Sequence, residues 1–298
     1  MVIDMRTQLV RTSTELLEAD HHMAVVLADI SVDRFEPAFT AAPGRVVNVG
    51  IMEQTLIGVA AGFAMEGFRV VAHSIAPFLV ERPLEQIKVD FAYQGLGGTL
   101  VSIGAPYDYG TEGGTHHAPG DVQELLAIPG AEVIVPGTAR EFDAVLRASV
   151  VNGRLTYVRA SIEQNERSHG ATPGRLEVLR GGSRAVVLAV GPMLDRTLEA
   201  CADLDVTVAY VVGIRPFDAD GLAAVVGDRP LVISVEPFYE GTMAAILTEA
   251  LRSVPARFVS VGVPRRFVTA YGTPAEHDAD LGMDVAGIRR RVTAALEG

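Results

Sequence analysis

Asp29, Glu53, Phe78 and the Glu112–His116–His117 loop each follow a short apolar run. In an open α/β sheet, the groups beyond the carboxyl ends of the strands are the ones that meet ligands. Glu53 comes after VVNVGIM, and a helical pattern begins with it. Its carboxylate therefore belongs to a helix's first turn, where unpaired amides and the macrodipole favour negative charge. An ordinary solvated first-turn acid fits the same pattern. Downstream, Gly58, Ala61 and Gly62 leave one face of that helix nearly bare, so another backbone can approach it. A carboxylate at the mouth of a sheet, beside a helix shaped for close packing, points to a site at a subunit boundary.

The segment YDYGTEGGTHHAPGDVQE is rich in glycine and lacks periodicity, so it reads as a loop whose backbone can come close to a ligand. Its two adjacent histidines suit proton transfer near neutral pH, or simple solvation. They do not make a metal site, because no HxH, HxxE or cysteine pair accompanies them. Serine-triad catalysis lacks a Gly-x-Ser-x-Gly elbow. Neither a P-loop nor a Gly-x-Gly-x-x-Gly turn supports a nucleotide site.

The elements that position these residues alternate. MRTQLVRTSTELLEAD reads as an amphipathic helix, and MAVVLADIS, FRVVAHSI, TLVSIGAP, AEVIVPG and LTYVRAS as buried strands. PFLVERPLEQIKVDFAYQG reads as a helix beginning after Pro77, and residues 139–150 as another. Residues 164–182 are polar and turn-rich, and the strand–helix rhythm resumes at Ala185. The expected architecture is α/β: two doubly wound domains with mainly parallel sheets, residues 1–163 and 183–298, joined by a linker. The second sheet should hold four or five strands.

The 298 residues leave room for two domains, and 49% of them are apolar. A net charge of −12 without a basic cluster argues against nucleic acid and anionic membranes as partners. No apolar run is long enough to cross a bilayer. The charged start MVIDMRTQLVRTS lacks a signal-peptide core, and the lone Cys201 permits no internal disulfide. A cytoplasmic protein is expected.

NVGIMEQTLIGVAAGFAMEGFRVVAHSIAPFLVERPLEQI, followed by GTEGGTHHAPGDVQELLAIPGAEVIVPGTARE, resembles the pyrimidine-binding domain of transketolases and deoxyxylulose phosphate synthases. The GI-x-E-Q motif, the aromatic after a strand and the acid-G-x-T-H loop occur in that family's order. VVLAVG, VVGIRPFD, LVISVEPFYEGTM and VPRRFVTAYGTPAEHDADLGMD resemble the family's C-terminal domain. The resemblance implies a thiamine diphosphate enzyme. Glu53 would then hydrogen-bond the aminopyrimidine ring and promote the tautomer that lets the cofactor activate itself. Phe78 would stack on that ring, and Asp29 and Glu112 would lie near the cofactor. His116 would move protons on the substrate, and Arg159, with Arg6, would grip a substrate phosphate.

Four residues depart from the family. Glu112 stands where transketolases carry aspartate, Gly104 where a substrate-binding histidine is expected, and Glu81 and Arg82 where a second aromatic belongs. The family's Gly-Asp-Gly motif and distal asparagine, which hold the diphosphate and Mg²⁺, do not occur. The resemblance therefore implies the C-terminal subunit of a split transketolase, carrying no metal ligands of its own. An N-terminal subunit would hold the diphosphate and Mg²⁺ in an α2β2 heterotetramer. A beta-type subunit of an oxo-acid dehydrogenase or decarboxylase, and a non-catalytic scaffold, share the architecture.

Overall fold

The computed structural model describes residues 3–170, 172–227 and 231–298. Its first six strands are β1 (Met23–Leu27), β2 (Val46–Asn48), β3 (Arg69–Ile75), β4 (Gly98–Ile103), β5 (Glu132–Ile134) and β6 (Leu155–Arg159). The next six are β7 (Glu177–Arg180), β8 (Val186–Val190), β9 (Thr207–Val211), β10 (Gly213–Arg215), β11 (Leu231–Tyr239) and β12 (Arg257–Val263). Among the described residues they form a seven-stranded sheet, β10-β5-β6-β4-β3-β1-β2, and a five-stranded sheet, β12-β11-β8-β9-β7. Within these sheets only β10 and β7, each at an edge, run antiparallel to their neighbours. The α/β architecture with two mainly parallel sheets is as expected. The strands β1, β4, β5, β6, β8 and β9 are buried along their whole length, because helices cover both faces.

Helices Met5–Ala19 and Ala139–Val151 cover one face of the large sheet. The other face belongs to a core shared by both halves of the chain. It runs from Leu56, Ile57 and Ala60 through Val133 to Leu188, Val190 and Phe238. Polar contacts add to it. Tyr210 donates to Glu141 Oε2 at 2.7 Å, and the Arg215 guanidinium donates to the carbonyls of Leu126 at 2.6 Å and Ile128 at 3.0 Å.

Three local expectations need correction. Residues 177–180, read as linker, are strand β7; its edge position leaves it partly exposed, so no apolar run marks it. Strand β10 lies in the second half of the sequence but pairs with β5 in the first sheet. The helix expected after Pro77 is three pieces, Ala76–Val80, Leu84–Gln86 and a π-helical stretch Ile87–Ala92. Pro83 has no amide to continue the first piece, so the chain turns at Glu81 and Arg82.

Candidate active site

Glu53 is the first residue of helix Glu53–Met65, and only 2% of it is exposed. The strand leading to it is shorter than its apolar run. Asn48 ends β2, and its side chain accepts hydrogen bonds from the amides of Asp29 and Gly50, both at 3.0 Å. Gly50 takes a φ of +76°, and this turn carries the chain into the helix. The carboxylate accepts a hydrogen bond from Arg82 Nη1 at 2.8 Å.

Phe78 lies in the short helix that follows β3. The Arg82 guanidinium sits 3.9 Å over its ring centroid. His116, at the end of the turn Gly114–His116, meets the same ring edge-on at 5.0 Å, with Thr115 Oγ1 3.0 Å from its Nδ1. Three segments far apart in sequence thus converge on one spot: a buried carboxylate, an aromatic plate and an imidazole. The loop bearing His116 packs against the C-terminal half. A Cβ on Gly110 would fall 2.5 Å from the Gly272 carbonyl oxygen, so only glycine permits this contact.

Asp29 is exposed at the end of β1 with a φ of 64°, and Glu112 is exposed in the turn Gly110–Glu112. Neither touches Glu53 or Phe78 through any hydrogen bond or ion pair among the described residues. Arg6 Nε donates to Ser31 Oγ at 2.8 Å, and Ser31 lies 2.9 Å from His73 Nε2. His73 Nδ1 lies 2.9 Å from the Val101 carbonyl and must donate to it. Nε2 is therefore the acceptor, and the serine hydroxyl donates to it. Burial pushes the His73 imidazole down to about 4, so it is neutral and this relay is stable. Arg6 and Arg34 line a cavity of about 240 Å³ with Ile103, Tyr109 and Ser161.

Arg159, which the resemblance makes a phosphate-binding residue, ends strand β6. It is fully buried, and its Nε donates to Asp121 Oδ2 at 2.7 Å beside a 2.6 Å hydrogen bond from Tyr157 to the same oxygen. Nε neutralises a buried carboxylate, while Nη1 and Nη2 are buried with no hydrogen-bond partner among the described residues. His117 turns away from His116 and is buried against Tyr107 and His277, with ring centroids 6.2 and 5.4 Å away. Burial, then the neighbouring His277 and His116, holds its imidazole below the usual range. Asp108, nearly surrounded by protein although not wholly inaccessible, is pushed up to about 7 by burial, against the opposing Ile162 amide and Arg159.

Arg82, Ser31, His73 and Arg34 were not singled out as site residues from the sequence. His73 did carry a signal, since a histidine inside a buried strand needs hydrogen-bond partners on both nitrogens. Arg82 carried none beyond its place where an aromatic was expected.

A flat polar group already fits between Glu53 and Phe78, as the Arg82 guanidinium demonstrates, so these residues fit an aminopyrimidine ring that shares a proton with the carboxyl. Among the described residues no three His, Cys, Asp or Glu side chains cluster as metal ligands.

Family models described as the transketolase pyrimidine-binding domain and the transketolase C-terminal domain match residues 1–164 and 174–288. The chain is 44% identical, over 98% of its length and 95% of the relative's, to an uncharacterised 33.6 kDa protein in the fasciation locus of Rhodococcoides fascians. It is 30% identical, over 76% of each chain, to one of the subunits of the apulose-4-phosphate transketolase of Actinobacillus succinogenes. It is also 30% identical to 1-deoxy-D-xylulose-5-phosphate synthase of an Azoarcus species, where it spans 42% of that protein. A split-gene transketolase solved as an inactive beta4 tetramer superposes with a TM-score of 0.88 at 26% identity, covering 99% of both chains. The chain therefore belongs to the transketolase family of thiamine diphosphate enzymes, of which it carries the pyrimidine-binding and C-terminal domains.

Proposed function

We propose that this chain is the C-terminal, beta-type subunit of a two-polypeptide transketolase that moves a two-carbon ketol unit from a ketose or ketose phosphate to an aldehyde acceptor. The observation that carries the reading is the convergence of Glu53, Phe78 and His116. Thiamine diphosphate supplies, when bound, a nucleophilic carbon for making and breaking the bond beside the donor's carbonyl. Glu53, fixed on its helix and held out of water, shares a proton with a ring nitrogen. The Phe78 face orients the ring. His116 moves a proton at a substrate hydroxyl. Asp29 and Glu112 contribute charge at the rim. Arg6, aimed by Ser31 and His73, meets an anionic end of the substrate together with Arg34.

A separate N-terminal subunit holds Mg²⁺ and the diphosphate, because that charge needs a cation and amide cradle. The pairing is supported by the Actinobacillus succinogenes relative, whose name makes it one subunit of a transketolase. Exposed Ile51, Met52 and Met65 flank the bare Gly58–Gly62 face and form the surface for the partner or a second copy in an α2β2 assembly. The compartment is the cytoplasm, suited to a lone buried cysteine.

The test is to mix the chain with its N-terminal partner, thiamine diphosphate and Mg²⁺, and assay a ketose phosphate with an aldose. Turnover by the mixture, none by the chain alone, and a loss of ~10²-fold or more in Glu53→Gln are expected. Ketol transfer by the chain alone, or turnover only of pyruvate with a dye acceptor, overturns the reading. No effect of Glu53→Gln supports a scaffold instead.

A further inference from the structure

We propose that Arg82 is a built-in surrogate for the cofactor's ring, filling the slot between Glu53 and Phe78 until a ligand displaces it. The inference rests on the thiamine diphosphate reading above. The guanidinium is flat, delocalised and rich in N–H donors. It places one donor 2.8 Å from Glu53 Oε2 and its central carbon 3.9 Å from the Phe78 ring centroid. An aminopyrimidine would use the same oxygen and the same ring. The edge-on His116 and the apolar core already take the other surroundings of Phe78. Two plates cannot share the remaining face, so Arg82 and the ring exclude each other.

The two partners of the ion pair are unequal. The Glu53 side chain is 3% exposed and cannot reach water, whereas the Arg82 side chain is 42% exposed on the turn before Pro83. The arginine can therefore swing into solvent while the acid stays in place. In the empty chain the cation spares the buried carboxylate from standing unpaired. When the ring arrives, a proton shared between the carboxyl and a ring nitrogen replaces that cation. Affinity is lowered by the fraction of molecules in which the slot is open.

The test uses the full chain with 4-amino-5-hydroxymethyl-2-methylpyrimidine, which is the ring portion of the cofactor, followed by NMR or calorimetry. Arg82→Ala should bind it about tenfold more tightly than wild type, through loss of one half-exposed ion pair and one cation–π contact. Methylguanidinium should bind Arg82→Ala but not wild type, and should compete with the pyrimidine. Arg82→Lys, which retains the ion pair but cannot stack as a plate, should also bind more tightly than wild type, and it carries the test if the alanine variant fails to fold. Equal or weaker binding in the variants, or simultaneous binding of pyrimidine and methylguanidinium, overturns the surrogate role while leaving the cofactor reading intact. If neither wild type nor any Arg82 variant takes the pyrimidine, the surrogate role falls, whereas the cofactor reading is decided separately by whether the assembled enzyme requires thiamine diphosphate.

Discussion

The His116 ring meets the Phe78 ring edge-on, with centroids 5.0 Å apart and planes 72° from parallel. An aromatic pair in this geometry is worth about 0.5–1.5 kcal/mol beyond its area. It ties the aromatic that would carry the cofactor to the loop that would carry the acid–base group. Any motion of one ring is therefore felt by the other.

Phe78→Leu should raise the thiamine diphosphate concentration needed for half-saturation of the assembled enzyme by ~10-fold, since both the stacking surface and the edge-on contact are lost. Activity titrated against cofactor reads this directly. An unchanged half-saturation point would place the ring elsewhere.

His73 should make the protein acid-labile. Burial lowers its folded-state pKa to about 4, from an ordinary value of about 6.5. A depressed pKa means that the folded state takes up its proton later than the unfolded chain. The stabilisation is fully present above about 6.5 and is lost as pH falls through about 4. The difference corresponds to roughly 3 kcal/mol. In His73→Gln this part of the acid destabilisation should disappear, as urea unfolding at pH 7 and pH 4.5 would reveal. The variant should also loosen Arg6 through Ser31.

Asp108 acts with the opposite sign. Its carboxyl is raised to about 7, chiefly by burial, so the folded state holds a proton that the unfolded state releases near pH 4. Stability from this group is present at low pH and is lost as pH rises to about 7. Asp108→Asn keeps an oxygen for the Ile162 amide. It should be more stable than wild type at pH 8 and nearly equal to it at pH 4, measured by denaturant midpoint. A variant less stable at pH 8 would contradict this.

The Arg159–Asp121 pair is buried on both sides. Arg159→Met alone should cost ~3–5 kcal/mol, because it strands Asp121 without a cation. Arg159→Met combined with Asp121→Leu should recover much of that loss. If Arg159 instead gripped a substrate phosphate, the single change would raise KM and spare the denaturant midpoint.

Much of the molecule was legible without coordinates because the signals concerned are local. Continuous β-branched runs mark strands buried on both faces, and the switch to helical spacing put Glu53 at a helix start, where it is found. Three motifs in order were enough to name the family. What depends on distant pairing was hidden. The ion-pair partner of Arg159 was hidden because Asp121 lies 38 residues away in sequence. Strand β10 crosses to the first sheet because an edge there is open to it, not because of its own three residues. Arg82 reaches Glu53 and Phe78 from the turn before Pro83, where the helix Ala76–Val80 has ended. Backbone periodicity is written along the chain, whereas the partner of a charge is chosen by which surfaces the packed core brings together.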